Sequence, residues 1–265
     1  MHSALNSLRD RWLSLWHPVK RFLSVSGFLW TARRDPELRQ VFRCYVHWLP
    51  FNLFSEPAQW LRQLLGTRQR YRVALQRPYD IYVPHLHASP FPQAPYNCQV
   101  LESRWQDIRA EYQAIADREG PPPNQAHVLA GRWGTFDMVA LGHSNDARAS
   151  QCPVTMQVVG QLAVVDMVTF SSLAPGSELR PHYGTTNVKL RHQLCLEWAE
   201  GARIRVGGEW RTWQEGKCLV IDDSFEHEVL HRGDRRRVVL LVDCWHPDLT
   251  PREREFLRML FPRLK

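Results

Sequence analysis

The chain has 265 residues, of which 44% are hydrophobic and 23% are charged, and these globular values exclude wholesale disorder. Its net charge of +7 comes from one end, because residues 1–77 hold 13 Lys and Arg against 4 Asp and Glu while the remainder is close to neutral. Such a basic segment can meet phosphates, anionic lipid or an acidic partner, and the sign of the charge does not choose among them. The six cysteines have no CxxC spacing, so we expect buried thiols rather than a disulfide framework.

The N-terminal region carries a helical pattern. Apolar residues recur at helical spacing over residues 5–19, interleaved with arginines and tryptophans. This pattern is typical of an amphipathic helix at a membrane surface, and a helix packed on its own protein explains it equally well. The apolar stretch at residues 22–32 has about half the length that a bilayer span needs. We therefore expect a chain that is soluble or cytoplasmic, or that lies on a membrane surface.

Two further helices are predicted downstream. The stretch "SEPAQWLRQLLG" (55–66) has Ser55 as its N-cap and a glycine as its stop signal. Asn97 is predicted to cap the next helix, whose apolar face extends from Leu101 to Ile115.

After Ala130 the apolar period changes to that of strands. Short runs of β-branched and aromatic residues are separated by Pro-Gly, Gly-Gly and Glu-Gly turns, without intervening helices. This pattern favours a mainly β (α+β) fold, a double-stranded β-helix of the jelly-roll or cupin kind with N-terminal and flanking helices. The runs are "VVDMVTFSSL", "LRHQLCLEW", "ARIRVGGEWRTW", "KCLVIDD" and "RRVVLLVDCW".

Two histidines in this region suggest a metal site. His182 and His227 are 45 residues apart, and in a jelly roll ligands on the first and seventh core strands converge. Non-haem Fe(II) oxygenases use two histidines and a carboxylate, but the carboxylate position here is Gly184. Either water takes the open position, oriented by Asp222 or Asp223, or there is no metal and His182 is an ordinary histidine.

An arginine on an apolar strand, where at least one arginine is expected to point inward, supports the metal hypothesis. Arg237 lies ten residues after His227 on an apolar strand. A buried arginine that faces a barrel interior needs an anionic partner, and a dicarboxylate cosubstrate would supply one. A zinc site on His227 and His231 is disfavoured, because no third ligand is near in the sequence.

Three longer stretches carry a family resemblance: "LAPGSELRPHYGTTNVKLRHQL", "VGGEWRTWQEGKCLVIDDSFEHEV" and "LLVDCWHPDLTPRER". They resemble the aspartyl/asparaginyl β-hydroxylase family of Fe(II)/2-oxoglutarate-dependent dioxygenases, densely from Trp133 to Arg254. The resemblance implies a dioxygenase domain over residues 76–265, preceded by a basic helical extension over residues 1–75.

The resemblance also implies roles for single residues. His182 and His227 would bind iron, with Gly184 in place of the third ligand, and Arg237 with Ser171 would bind the distal carboxylate of 2-oxoglutarate. Further positions in the cosubstrate pocket would be Trp133, Arg191, His192 and Gln193. Arg191 is alternatively expected to face an acidic group of the substrate, and Gln193 stands where the family usually has a histidine.

The implied activity is hydroxylation of an aliphatic carbon, with 2-oxoglutarate and O2 as cosubstrates. The expected substrate is the β-carbon of an Asp or Asn residue in a peptide or protein, or a related amino acid. Two alternatives stay open: a non-haem iron halogenase with halide at the open position, and a non-catalytic jelly-roll protein bound at a membrane surface. No nucleic-acid partner is expected, because the arginines are spread along apparent core helices instead of lying with an aromatic platform on one surface.

Overall fold

The computed structural model describes residues 75–78, 81–83, 85–122 and 125–264. The helices predicted over residues 5–19 and 55–66, and the basic extension, lie outside the described residues. The chain divides into two compact units. One unit comprises Tyr71–Pro78 and His85–His246 and holds all the described strands.

The described residues form eleven strands, five α-helices and two 3-10 helices. The helices are α1 (Pro95–Glu102), α2 (Trp105–Ile115), α3 (Asp146–Ala149), α4 (Pro153–Val159) and α5 (Pro251–Leu264), with 3-10 turns at Ala116–Arg118 and Gln125–His127. The strands are β1 (Val128–Ala130), β2 (Trp133–Ala140), β3 (His143–Ser144), β4 (Val164–Leu173), β5 (Glu178–His182), β6 (Lys189–Glu197), β7 (Ala202–Val206), β8 (Glu209–Arg211), β9 (Cys218–Ile221), β10 (His227–His231) and β11 (Arg237–Trp245).

The strands pair in two antiparallel sheets, ordered β1-β5-β10-β7-β8 and β3-β2-β4-β11-β6-β9. From β4 to β11 the chain passes back and forth between the sheets, and only β7 and β8 are consecutive strands of one sheet. This order is that of a double-stranded β-helix, so the fold predicted from the strand runs is confirmed.

Turn chemistry explains the strand ends. Gly176, Gly207 and Gly216, one in each predicted turn, have positive φ angles of 74°, 59° and 74°. Glycine adopts this left-handed backbone without the steric penalty that a Cβ atom brings, so the turns fall where the sequence predicts them.

The larger sheet is covered on both faces. Its inner face packs against the smaller sheet through buried residues such as Leu173, Ile204 and Val239. Its outer face packs against α2 and α4 through residues such as Tyr112 and Phe170. Every residue of β11 is consequently buried, which explains its continuous apolar run.

The predicted helix cap at Asn97 is wrong. Pro95 opens α1 after Ala94, so Asn97 lies inside the helix. The Asn97 side-chain amide instead contacts Nε2 of His192 at 3.2 Å, and α2 is a separate helix after a break at Ser103 and Arg104. A tertiary contact, which local spacing does not reveal, explains the asparagine.

The described part of the second unit includes α5. Glu253 accepts hydrogen bonds from the backbone N–H and hydroxyl of Thr250, at 2.8 and 2.9 Å, which forms a capping box at the helix start. None of the described helices combines the length and the hydrophobicity that a membrane crossing requires.

Candidate active site

The two predicted histidines meet inside the barrel. His182, at the end of β5, is the register partner of His227 at the start of β10. Their ring centroids are 4.0 Å apart. Side chains 45 residues apart in the sequence are therefore paired across one sheet.

A β-bulge aims His182 inward. His182 pairs with His227, but Leu179 pairs with Val229, so β5 uses one residue more than β10 between the two pairs. Leu179 and Val229 both belong to the core between the sheets. The extra residue places His182 on the same inner face as Leu179, which strict alternation would not allow.

Both imidazoles are prepared to act as ligands. Nδ1 of His182 lies 2.7 Å from the Arg180 carbonyl, and Nδ1 of His227 lies 2.9 Å from the Phe225 carbonyl. Because a carbonyl only accepts, each Nδ1 carries the hydrogen and each Nε2 keeps its lone pair. Burial is the main cause that lowers the pKa of His182 to about 3 and the pKa of His227 to about 4, so both rings are neutral at pH 7.

The absence of a side chain at position 184 has a steric cause. A Cβ atom on Gly184 would lie 2.5 Å from Oδ1 of Asp223, and the Gly184 N–H donates to the Asp223 carbonyl at 2.6 Å. The Asp223 carboxylate thus occupies the space that a ligand at position 184 would need. Asp223 is 2% exposed, and its Oδ1 is buried without a hydrogen-bond partner. An orphaned carboxylate oxygen beside two neutral imidazoles fits a site for a metal ion and its bound water.

Gly184→Ala is expected to lower the free energy of unfolding by about 1–3 kcal/mol, because the new methyl group must displace Asp223. Affinity for Co(II), used as a spectroscopic probe, should fall by about tenfold as the carboxylate moves. Urea unfolding and Co(II) titration measure the two effects. Gly208→Ala is the matched control, since its Cβ would meet open space. Equal effects of both substitutions would contradict the proposed close packing.

The two aspartates of "DDSF" have different environments. Asp222 turns away from Gly184: Oδ1 accepts from the Ser224 N–H at 3.0 Å, and Oδ2 accepts from the Gln76 amide at 2.9 Å. Burial raises the pKa of Asp222 to about 7. Asp222 is therefore a structural turn residue, and only Asp223 presents a free oxygen.

Asp222→Asn is expected to stabilise the protein increasingly as the pH rises. The folded pKa of about 7 exceeds the ordinary value of 3.8, so the wild type loses stability between about pH 4 and pH 7, whereas an amide does not titrate. The free energy of unfolding of Asp222→Asn relative to the wild type should be about 2–4 kcal/mol higher at pH 8 than at pH 4. Urea unfolding of both proteins across this pH range measures the difference. The exposed Asp234→Asn is the control. A pH-independent difference between Asp222→Asn and wild type would refute the assigned environment.

Arg237 is a buried cation with no carboxylate partner in the part of the chain that the structure describes. It is 3% exposed, and within the described residues it forms no ion pair. One guanidinium N–H donates to the Ser171 carbonyl at 3.3 Å, Cζ lies 4.6 Å from the Trp213 ring centroid, and Nε has no partner. Burial lowers the pKa of Arg237 to about 10, which leaves it charged at pH 7. Such a charge is costly unless an anion binds it.

Ser171 and Trp133 lie on neighbouring strands beside this cation. Ser171 is buried, and its hydroxyl accepts from the Trp133 indole N–H at 2.9 Å. Because this hydrogen bond uses a lone pair, the hydroxyl hydrogen remains available for an anion. Ser171 shares the inner face of β4 with Leu173, as two-residue spacing requires.

The three predicted pocket residues of β6 separate by strand alternation. Arg191 and Gln193 face inward, and Gln193 accepts from the Trp213 indole N–H at 3.0 Å. His192 faces the helical layer, where it contacts Asn97. Its side chain therefore lies outside the pocket, and the sequence resemblance had included it incorrectly among the pocket side chains.

Arg191 is already paired. Its Nε and one terminal nitrogen donate to the two Asp243 oxygens at 2.8 and 3.0 Å, and the other terminal nitrogen lies 3.1 Å from Asp223 Oδ2. Nζ of Lys189 lies 2.6 Å from Oδ2 of Asp243 and 2.5 Å from Oδ2 of Asp166, so it bridges the two carboxylates. Among the described residues, Arg191 and Lys189 thus share the three carboxylates Asp166, Asp223 and Asp243. Burial alone would raise the pKa of Asp243, but Arg191 and Lys189 hold that pKa below its ordinary value.

Two features of the site had no sequence signal. The His127 ring lies 4.1 Å from the His182 ring, centroid to centroid, and Asp243 positions Arg191 from the neighbouring strand. Over the described ranges, no three His, Cys, Asp or Glu side chains form a group able to hold a metal ion. A metal ion bound between these imidazoles would therefore have to complete its coordination with ligands from outside the described side chains.

These features define a class: a double-stranded β-helix protein with two paired histidines inside the barrel and a buried arginine that forms no ion pair among the described residues. The sequence profile of the family described as aspartyl/asparaginyl beta-hydroxylase matches residues 102–247. The chain belongs to this family.

The chain is also similar to individual curated relatives and to a solved structure. The chain is 34% identical over 207 residues to aspartate beta-hydroxylase domain-containing protein 2 of Rattus norvegicus, covering 71% of this chain and 60% of the relative. It is 35% identical over 166 residues to aspartyl/asparaginyl beta-hydroxylase of Homo sapiens, covering 59% of this chain and 22% of the relative. The crystal structure of a Pseudomonas putida prolyl-4-hydroxylase is similar with a TM-score of 0.38 and 16% identity, covering 60% of this chain and 90% of that chain.

Proposed function

We propose that the protein is an Fe(II)/2-oxoglutarate-dependent dioxygenase that hydroxylates an aliphatic carbon, the β-carbon of an Asp or Asn residue in a peptide or protein or of a related amino acid. The observation that carries the proposal is the presence, in one barrel, of two neutral imidazoles and a buried arginine with no carboxylate partner among the described residues. In this proposal residues 76–265 form the dioxygenase domain and residues 1–75 form an extension.

The residues divide into metal ligands and cosubstrate ligands. His182 and His227 would bind iron through Nε2, since Nδ1 of each ring is held by a backbone carbonyl. Arg237 and the Ser171 hydroxyl would bind the distal carboxylate of 2-oxoglutarate, which supplies an anion that no described residue offers to Arg237. Iron, when bound with 2-oxoglutarate and O2, supplies the oxidising power that attack on an unactivated C–H bond requires.

Asp223 would replace the missing third ligand indirectly. Its free Oδ1 would accept a hydrogen bond from a water molecule at the open position, and Arg191 would hold its Oδ2. We therefore propose that Arg191 positions Asp223, rather than binding an acidic group of the substrate as the sequence had suggested. The Arg191 guanidinium already forms ion pairs with two carboxylates of the protein, those of Asp223 and Asp243.

The structure favours hydroxylation over halogenation. A halide at the open position would lie beside the Asp223 carboxylate, whose like charge repels it. A non-catalytic protein would give no reason for burying the Arg237 guanidinium, which forms no ion pair among the described residues. In the dioxygenase, the desolvated Arg237 guanidinium would instead bind the cosubstrate carboxylate more tightly.

The test is succinate formation from 2-oxoglutarate with Fe(II) and O2, across a panel of Asp- and Asn-containing peptides and free amino acids. Succinate formation that a panel member stimulates, with a product heavier by one oxygen atom, supports the proposal. A chloride-dependent product would indicate the halogenase. Absence of succinate and of 2-oxoglutarate binding would favour the non-catalytic protein.

A further inference from the structure

A cavity of about 310 Å³ lies against the larger sheet where three neighbouring strands, β2, β4 and β11, begin or end. Its floor consists of the small residues Ser172, on the central strand β4, and Ala174, which follows that strand. Arg132 directly precedes β2 and Arg236 directly precedes β11, so the two arginines flank the floor from opposite sides. The volume is at the lower end of the range of about 300–1,000 Å³ that is typical of ligand pockets, so it suits a small molecule.

The cavity is separate from the candidate active site. Ser172 pairs with Val238, which belongs to the core between the larger sheet and its covering helices. Ser171 lies on the opposite, inner face of the same strand, because successive side chains of a strand alternate between its faces. In the same way Arg236 is exposed and lines the cavity, whereas the next residue, Arg237, is buried inside the barrel.

A carboxylate is held in place at this cavity. Oε1 of Glu119 accepts from the Tyr112 hydroxyl at 3.0 Å, and its Oε2 accepts from the Ser172 hydroxyl at 2.6 Å. The next residue, Gly120, exchanges two backbone hydrogen bonds of 2.9 Å with Thr135 of β2. The position of the Glu119 carboxylate is therefore fixed by both its side chain and its backbone, and each oxygen keeps a lone pair for a further donor.

The charged groups of the cavity do not neutralise one another. The lining includes two guanidinium groups, of Arg132 and Arg236, and two carboxylates, of Asp117 and Glu119. Within the described residues no ion pair joins one of these arginines to one of these carboxylates, and Arg236 instead lies 3.4 Å from Glu197, which is not part of the lining. Two positive and two negative groups thus face one space without direct contact between opposite charges.

This arrangement selects the class of ligand. A simple anion would meet the two carboxylates, and a simple cation would meet the two guanidinium groups, so each would be repelled by half of the lining. A ligand that carries both charges satisfies both halves: its carboxylate accepts forked hydrogen bonds from an arginine, and its ammonium group donates to Asp117 and Glu119.

We propose that the cavity is a binding site for a free α-amino acid, bound as its zwitterion. Such a molecule carries an ammonium group and a carboxylate on one carbon atom and is small enough for the volume. The inference does not depend on the proposed dioxygenase function, because none of the residues that line the cavity belongs to the proposed metal or cosubstrate ligands.

The experiment measures the binding of L-leucine to the full chain by isothermal titration calorimetry. The apolar side chain of this probe suits the Ala116 and Ala174 methyl groups of the lining. L-leucinamide has no carboxylate and N-acetyl-L-leucine has no ammonium group, so each analogue lacks one charge. We expect L-leucine to bind and either analogue to bind about tenfold more weakly or worse, since each loses the hydrogen bonds of one charged group. Absence of L-leucine binding, or equal binding of an analogue, would overturn the proposal.

Substitutions locate the bound probe. Arg132→Gln and Asp117→Asn each remove one charge from an exposed side chain, and each should raise the Kd of L-leucine by about tenfold. Arg235→Gln is the matched control, because this exposed arginine adjoins Arg236 but does not line the cavity, and it should bind as the wild type does. Arg237→Met should also bind L-leucine normally. Loss of binding in Arg237→Met, with Arg132→Gln unaffected, would place the probe inside the barrel and refute the site.

Discussion

Replacing His182 or His227 with alanine is expected to reduce Fe(II)-dependent succinate formation by about 100-fold or more, since even partners that only orient a metal ligand cost 10–100-fold. The two imidazoles face each other on neighbouring strands, and clusters of three metal ligands are absent from the described residues, so loss of either histidine removes one of the two proposed ligands. Co(II) affinity should fall in parallel, measured by titration of the visible absorption.

His192→Gln is the matched control for these variants. His192 is a buried histidine of the same barrel, but its side chain faces α1 rather than the pocket. We expect it to retain Co(II) affinity. If the alanine variants bind Co(II) as the wild type does, the metal centre lies elsewhere, and if His192→Gln alone loses the metal, the assigned inner face of β6 is wrong.

Replacing Arg237 with methionine is expected to have opposite effects with and without cosubstrate. Without 2-oxoglutarate, the variant should be at least as stable as the wild type, because an apolar side chain of similar length removes a buried charge that has no carboxylate partner among the described residues. With 2-oxoglutarate, the wild type should gain stability by binding, and the variant should gain none. Thermal unfolding of both proteins, with and without 2-oxoglutarate, measures the difference.

Arg237→Met should also weaken the binding of 2-oxoglutarate. Truncating one partner of a buried charge pair costs about 2–5 kcal/mol, so the Kd of 2-oxoglutarate should rise by about 30-fold or more. Arg237→Lys keeps the charge but loses the forked hydrogen bonds, and should bind with intermediate affinity. A variant Arg237→Met that is unstable without cosubstrate and binds 2-oxoglutarate normally would show that the arginine is structural.

The strands and the turns between them could be predicted from the sequence. The run "VVDMVTFSSL" is the whole of β4, and the Gly-containing turns fall between the predicted strands. These features depend on neighbours along the chain: alternation decides which face is apolar, and glycine alone adopts a positive φ without strain. The resemblance, which covers long ordered stretches, also singled out His182, His227 and Arg237; the structure pairs the two histidines and buries the arginine.

Tertiary structure alone decided how the pocket is built. The β-bulge that turns His182 inward, the contact that excludes a side chain at position 184, and the pairing of Arg191 with Asp243 join residues far apart in the sequence. The same holds for Asp222 and Asp223, which are adjacent in the chain but face Gln76 and Gly184 respectively. Local patterns determine which face of a strand is apolar, but the partner of a buried charge depends on sheet register, because register brings distant side chains within hydrogen-bonding distance.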